Sequence, residues 1–163
     1  MSTDGLPLTR ANPENWEAVR LIRLRALADA PDAFGATRAD SAALPEQAWR
    51  ERLAAASPTY VVWDKDDPVA MGGCFLVPHS DAAMVWGMWT APSHRGLGLA
   101  RRVLDACVAY AHAAERTPYL HVTEGNDAAR ALYVSCGFEP TGVWEPLRGG
   151  SPLQVEELVL RRG

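Results

Sequence analysis

Apolar residues along this chain form two patterns. Stripes with apolar residues three or four positions apart predict helices, and short continuous runs predict strands. Between residues 100 and 111 they lie three or four positions apart, on one face of a helix; these are Ala100, Val103, Leu104, Cys107, Val108 and Ala111. A second stripe predicts a helix from Pro13 to Asp29, preceded by an asparagine N-cap. Its core face comprises Val19, Ile22, Ala26 and Ala30, and its arginines, Arg20, Arg23 and Arg25, are expected to point away from the core.

Shorter apolar runs bounded by turn residues predict strands. They cover residues 6–10, 59–63, 69–77, 83–90, 117–122, 138–144 and 153–160. Two further helices are predicted, one over 45–55 and one that begins near Asn126 and ends at Gly137. The resulting order is β-α-α-β-β-β-α-β-α-β-β. A chain of 163 residues suits one buried core, so we expect a single domain over 1–163.

A glycine loop runs directly into the helix of residues 100–111. Its sequence is His94-Arg95-Gly96-Leu97-Gly98-Leu99-Ala100-Arg101. The first N–H groups of a helix have no intrahelical partner and lie at the positive end of its dipole, so they bind phosphate well. Gly96 and Gly98 lack a Cβ and allow a ligand to approach the backbone. The segment therefore predicts a pyrophosphate site.

Two common phosphate motifs do not fit this loop. A P-loop requires Gly-Lys-Ser/Thr, and a dinucleotide fingerprint that starts at Gly96 requires glycine where Arg101 stands. The pattern Arg-x-x-Gly-x-Ala, formed by Arg95, Gly98 and Ala100, resembles that of the GCN5-related N-acetyltransferase (GNAT) family. A second segment strengthens the resemblance, because Asn126 and Tyr133 are followed by Cys136-Gly137-Phe138 in the order typical of that family.

The resemblance implies a fold and a cofactor. The fold is an α+β, mixed but mostly antiparallel seven-stranded sheet, flanked by about four helices and splayed beside the pyrophosphate loop. The co-substrate is acetyl-CoA, and no metal is expected. The residues that the family would use for acetyl-CoA are Met88, Trp89, Thr90, Arg95, Gly96, Leu97, Gly98, Leu99, Ala100, Arg101, Asn126 and Tyr133. Arg102 is a further candidate for a phosphate contact, and Asn126 is also expected to cap its helix.

The resemblance also implies catalytic roles. Tyr133 would protonate the departing thiolate, and the main chain of Met88, Trp89 and Thr90 would bind the acetyl carbonyl and the pantetheine arm. Gly87 within that strand predicts a bulge.

A general base is harder to assign. Some family members carry a glutamate on the strand before the loop, but residues 84–90 contain no acid. We therefore take Glu124 as the candidate base, acting through water, and His121 as the alternative. Asp32 and Phe34, after the first helix, are candidate acceptor-side residues. Trp16, Trp49 and Trp144 are interpreted as core or interface packing.

Composition narrows the function classes. The formal net charge is −4, and the 16 basic residues are scattered, so a nucleic-acid partner is not expected and a cationic amine acceptor is electrostatically reasonable. Cys74, Cys107 and Cys136 show no Cys-x-x-Cys pairing and are expected to be reduced. No apolar run reaches the length of a membrane span and residues 1–5 do not resemble a signal peptide, which favours a cytoplasmic protein. The arginine and alanine bias suggests a bacterial source.

These features favour an acetyl-CoA-dependent N-acetyltransferase. It would transfer an acetyl group to an amine of a small molecule, peptide or protein, directly within a ternary complex. Two alternatives stay open. The first is a non-catalytic acyl-CoA-binding sensor or partner domain, and the second is a toxin-like enzyme that acts on aminoacyl-tRNA, which the acidic charge disfavours. Family members often form homodimers, so a homodimer is the assembly to test.

Overall fold

A computed structural model of the protein describes residues 5–161. Seven strands form one sheet in the order β1-β2-β3-β4-β5-β7-β6. Their bounds are β1 Leu8–Arg10, β2 Thr59–Asp64, β3 Asp67–Leu76, β4 Ala82–Thr90, β5 Thr117–Thr123, β6 Glu139–Pro146 and β7 Gln154–Val159. Strands β4 and β5 are parallel, and the other neighbours are antiparallel. The predicted fold class is confirmed.

The helices lie where the apolar stripes predict them, with one addition. Within the described range they are α1 Trp16–Asp29, α2 Arg38–Ala42, α3 Glu46–Ala54, α4 Leu99–Ala113 and α5 Asp127–Ser135. The prediction lacked α2, which is five residues long and buries only Ser41, so it has no apolar stripe to find. None of the helices described in residues 5–161 is long and apolar enough to cross a membrane.

The sheet opens between its two parallel strands. Pairing of β4 with β5 covers Ala82 to Met84, opposite Thr117 to Tyr119, and goes no further. Beyond Met84 the strands diverge, and β4 continues to Thr90 along β3 alone. This splay, defined here as the gap between β4 and β5 after Met84, lies next to the loop that leads into α4.

Gly87 forms the predicted bulge in β4. On either side of it Met71 pairs with Trp89 and Gly73 pairs with Trp86, so Gly87 and Met88 together face Gly72. Gly87 has a φ of +67°, a conformation that other residues adopt only with strain. The extra residue reverses the alternation of side chains along the strand. Val85 therefore packs on the α4 side, whereas Trp89 packs on the α1 side.

Two apolar layers enclose the sheet. Buried residues of α4, including Val103, Leu104 and Cys107, pack with Tyr133 and Phe138 on one face. Residues of α1 and α3 cover the other face; they include Ile22, Ala26, Leu27, Trp49 and Leu53.

Candidate active site

The glycine loop leaves a row of main-chain donors uncovered at the start of α4. Gly96 and Gly98 have φ values of +81° and +76°, in the left-handed region. The first hydrogen bond of the helix runs from the Arg102 N–H to the Gly98 carbonyl, at 3.2 Å. The N–H groups of Leu99, Ala100 and Arg101 therefore have no partner within the helix. Apart from the adjoining residues, no heavy atom lies within 4 Å of a Cβ built on Gly96 or Gly98, so the space above the loop is open to a ligand.

Side chains at the start of the loop fix its position. Arg95 donates from Nε to the Thr90 carbonyl at 3.1 Å and from Nη2 to Asp29 Oδ2 at 2.8 Å. The Trp89 indole donates to the same Asp29 oxygen at 3.0 Å. These hydrogen bonds, from Trp89 and then Arg95, lower the pKa of Asp29. His94 Nε2 lies 2.8 Å from Asp64 Oδ2 and so ties the loop to β2.

The arginines of this region have different partners. Arg102 donates to the Leu6 carbonyl at 2.8 Å, so its guanidinium is held against the N-terminal segment and away from the glycine loop. Arg101 is exposed on the first turn of α4. Leu97 is half-buried and Leu99 is buried, so their side chains anchor the loop while their main chain faces outward.

Beyond the bulge, β4 presents alternate main-chain groups to the splay. The Ala91 N–H bonds to the Val69 carbonyl of β3 at 2.8 Å. Because main-chain groups alternate in direction along a strand, those of Trp89 also face β3, whereas those of Met88 and Thr90 face the splay. Trp89 thus differs from its two neighbours, since its main chain is used within the sheet. The buried Thr90 hydroxyl has no hydrogen-bond partner among residues 5–161.

A small cavity of about 60 Å³ lies in the splay, and we call it the splay cavity. Its lining includes Phe34, Trp86, Gly87, Met88 and Tyr133. Tyr133 is buried, and no group of the described chain hydrogen-bonds its hydroxyl. Burial raises the pKa of Tyr133 to about 12, so the phenol is protonated at neutral pH. The structure therefore places a protonated phenol and the main chain of Met88 in the lining of one cavity.

Asn126 lies at the mouth of the same cavity. It occupies the N-cap position of α5, but its side chain makes no capping hydrogen bond, contrary to prediction. Its φ of −86° and ψ of 67° differ from the extended backbone that a capping residue normally has. A second depression lies next to the splay cavity, and its lining includes Glu124, Asn126 and Arg130. The Asn126 amide borders both the splay cavity and this neighbouring depression, so it is available to a ligand.

The two candidate bases are separated. Glu124 is exposed and lines the neighbouring depression; its Oε1 accepts from the Gln154 N–H at 2.9 Å. His121 lines the splay cavity itself, and its Nε2 lies 3.8 Å from Glu157 Oε2. Glu124 could reach the splay cavity only by way of a water or after leaving Gln154.

The segment between α1 and α2 is hydrogen-bonded to residues on the β5 side of the splay. Thr123 at the end of β5 donates to the Asp32 carbonyl at 2.6 Å. Arg148, between β6 and β7, donates to the carbonyls of Pro31 at 2.8 Å, Phe34 at 2.7 Å and Gly35 at 3.2 Å. Phe34 is buried and borders the splay cavity, whereas the Asp32 side chain is exposed and Asp32 contributes its main chain. We call residues 31–35, held in this way, the strap.

A larger cavity of about 560 Å³ lies beside the strap and shares Trp86 with the splay cavity. Trp49 and Arg52 of α3 line it, together with Arg23 of α1. Arg23 was expected to point away from the core, and that prediction is wrong. Its guanidinium lies over the Phe34 ring at 4.9 Å. The apolar spacing of α1 could not indicate this, because the aromatic partners come from distant segments.

The Trp residues differ in environment. Trp49 is buried and Trp16 half-buried, as packing residues should be, but Trp144 is 47% exposed. Cys74, Cys107 and Cys136 are free, and burial raises the pKa of the Cys74 thiol to about 11. Among residues 5–161 no three His, Cys, Asp or Glu side chains are grouped closely enough to hold a metal ion.

A family model described as the acetyltransferase (GNAT) family matches residues 21–138. The match begins in α1 and ends after α5, so it includes the glycine loop and the splay. Comparison with the sequences of curated proteins gives no match.

Solved structures share the fold at low sequence identity. An acetyltransferase of the GNAT family from Streptococcus pneumoniae has 15% identity and a TM-score of 0.79, covering 94% of this chain and 98% of its own. The protein yncA from Salmonella typhimurium, with its cofactor acetyl-CoA, has 16% identity and a TM-score of 0.73, with coverages of 96% and 93%. The ribosomal-protein-S18-alanine N-acetyltransferase from Escherichia coli has 17% identity and a TM-score of 0.69, with coverages of 97% and 96%.

Proposed function

Because the chain belongs to the GNAT acetyltransferase family, whose model matches residues 21–138, we propose that it transfers an acetyl group directly from acetyl-CoA to an amine. The observation that carries this proposal is the continuity of the site. Uncovered donors at the start of α4 lead to the splay, where the Tyr133 hydroxyl lies beside unpaired main chain of β4. The Salmonella typhimurium protein with acetyl-CoA supports this choice of co-substrate.

The residues of the loop and the splay fit acetyl-CoA. The N–H groups of residues 96–101 suit the pyrophosphate, with Gly96 and Gly98 leaving the room that a Cβ would fill. Arg101 is an exposed cation on the same segment, whereas the exposed Arg95 is already paired with Asp29. The main-chain groups of Met88 and the N–H of Thr90 suit the pantetheine amides, since the Thr90 carbonyl already accepts from Arg95. The uncapped Asn126 amide offers a further contact. When bound, acetyl-CoA supplies an activated acetyl thioester.

Six residues of the chain then share four tasks. The Met88 N–H, aimed at the splay, donates to the acetyl carbonyl oxygen and favours the charge that develops there. Tyr133 holds a proton on its hydroxyl oxygen for the departing sulfur. Phe34 and Trp86 keep bulk water out of the splay cavity. Arg95 and Asp29 act as positioning residues that hold the loop against β4.

We propose Glu124 as the base that receives the amine proton through water. Glu124→Gln should abolish the loss of activity toward acid pH, because a carboxyl group accepts a proton only in its deprotonated form. The measurement is kcat/KM against pH, with Glu17→Gln on the exposed face of α1 as the matched control. If the acid limb persists in Glu124→Gln and disappears in His121→Asn, the base is His121.

Release of free thiol tests the proposed function. Purified protein is given acetyl-CoA and a panel of small amines, amino acids and N-terminal peptides; the Escherichia coli neighbour, which acts on an alanine of a ribosomal protein, motivates the peptides. Release that requires an acceptor, with the acetylated amine identified by mass spectrometry, supports the transferase. Binding of acetyl-CoA without release across the panel would favour the sensor alternative. Cytoplasmic location and a homodimer stay predictions from the sequence.

A further inference from the structure

The large cavity beside the strap has a mainly apolar wall and a cationic end. Its volume of about 560 Å³ is enough for a side chain the size of phenylalanine. Leu44, Trp49, Leu53, Met71 and Phe75 form much of the wall. Arg23 and Arg52 line the same space, which contrasts with the net charge of −4 for the chain as a whole. The positive charge of this cavity therefore favours an acceptor that carries an anionic group, whereas the net negative charge of the chain suggested a cationic acceptor.

Arg23 is a half-buried cation that forms no ion pair with any carboxylate of residues 5–161. Its guanidinium lies between two aromatic rings, 4.9 Å from the centroid of Phe34 and 5.6 Å from that of Trp86. Its Nη1 is buried and has no hydrogen-bond partner among the described residues. Burial, with the nearby charge of Arg52, lowers the pKa of Arg23 to about 10. A desolvated charge beside a like charge is costly unless an anion joins them.

The carboxylates nearby do not fill that role. Asp40 lines the cavity but is exposed and forms no ion pair with Arg23 or Arg52 within residues 5–161. Arg52 instead lies over the Trp49 ring at 5.6 Å. Both guanidinium groups are thus held on aromatic faces, with donors left for a ligand.

The position of Arg23 connects the two cavities. Its ring partners, Phe34 and Trp86, both line the splay cavity. A Cβ built on Gly87 would lie 3.3 Å from Arg23 Nη1, so the guanidinium is adjacent to the bulge. An anionic group bound to Arg23 would therefore hold a neighbouring amine close to the Met88 main chain, while the rest of the molecule extends into the large cavity.

We propose that the acceptor is an amine with an adjacent carboxylate and an apolar body, such as an α-amino acid with a large apolar side chain. Arg23 binds the carboxylate, Arg52 supports it from α3, and the apolar wall receives the side chain. This inference rests on the proposed function, because it names the acceptor of the same site.

The test compares amines that differ in charge at one group. Thiol release from acetyl-CoA is measured with L-phenylalanine, L-phenylalanine amide, 2-phenylethylamine and the aminophosphonate analogue of phenylalanine. We expect kcat/KM for L-phenylalanine to exceed that for the amide by about 30-fold, as for one charged hydrogen-bonded pair. Arg23→Met should reduce this preference to about one, and Arg23→Lys should restore part of it. Arg25→Met, which removes an exposed arginine paired with Asp67, should leave the preference intact.

Each outcome separates the inference from the function on which it rests. Faster turnover of the amide or of 2-phenylethylamine would overturn the carboxylate assignment and leave the transferase in place. Faster turnover of the aminophosphonate would mean that Arg23 recognises a phosphonate, and the carboxylate assignment would be overturned. If no amine causes thiol release from acetyl-CoA, the proposed transferase function is overturned, and the carboxylate site is then tested by binding alone. A rise in melting temperature with L-phenylalanine plus CoA, lost in Arg23→Met, would support the site, and no rise in the wild type would overturn it.

Discussion

Replacing Tyr133 with phenylalanine should lower kcat about 10³-fold, within the range that a lost general acid costs, while the KM for acetyl-CoA changes by no more than about twofold. The hydroxyl is the atom removed, and no group of the described chain hydrogen-bonds it. The variant therefore leaves no protein partner unsatisfied, and its fold should persist. Rapid-mixing measurement of thiol release, together with equilibrium binding of acetyl-CoA, separates the two quantities.

Tyr119→Phe provides the control, since Tyr119 lies on β5 and burial also raises its pKa. It should leave kcat unaltered. Because the pKa of Tyr133 is about 12, its proton is retained through neutral and moderately alkaline pH. A group with a raised pKa loses its proton only as the pH rises through that value, so Tyr133 predicts no alkaline loss of activity near pH 9. Unchanged kcat in Tyr133→Phe would contradict the assignment of Tyr133 as the acid. A loss of activity near pH 9 in the wild type that disappears in this variant would contradict only the raised pKa.

Gly98→Val should raise the KM for acetyl-CoA by about 300-fold, the cost of losing roughly two charged hydrogen bonds, with a much smaller effect on stability. Gly98 has a φ of +76° and an added Cβ meets no protein atom within 4 Å. The protein therefore experiences only backbone strain, on the order of 1–2 kcal/mol. The added side chain projects into the open space where the pyrophosphate would approach. Calorimetric titration with CoA measures the affinity, and thermal unfolding measures the strain.

Gly142→Val is a matched control for that strain. Gly142 lies in β6, with a φ of +87° and no atom within 4 Å of an added Cβ. Both variants should lose similar stability, but only Gly98→Val should lose affinity for CoA. Equal losses of affinity would mean that strain, and not the loop, controls binding.

The features that could be predicted from the sequence are those encoded locally. The stripe from Ala100 to Ala111 predicts α4 because its apolar face is continuous. Gly87 predicts the bulge because its neighbours are strand formers. The glycine loop could be located because glycines immediately before an amphipathic helix leave its first donors accessible.

The features that could not be predicted depend on contacts between distant segments. The spacing of α1 gives no sign that Arg23 lies between Phe34 and Trp86, which are 11 and 63 positions away along the chain. Asn126 is a residue type that commonly caps helices, but its backbone dihedral angles are not those of a capping residue. Arg95 belongs to the motif, yet its side chain binds Asp29 and Thr90 instead of facing the open loop. The spacing of residues within one segment predicts the helix or strand that each residue belongs to, but it does not predict which distant residue its side chain contacts.

The strap has a practical consequence for engineering. Arg148 holds the carbonyls of Pro31, Phe34 and Gly35 from the opposite side of the splay. The α1–α2 segment and the β6–β7 hairpin are therefore one mechanical unit, although more than a hundred positions separate them. A chimaera that exchanges either segment alone would lose the hydrogen bonds between Arg148 and the strap, whereas one that exchanges both together would keep them.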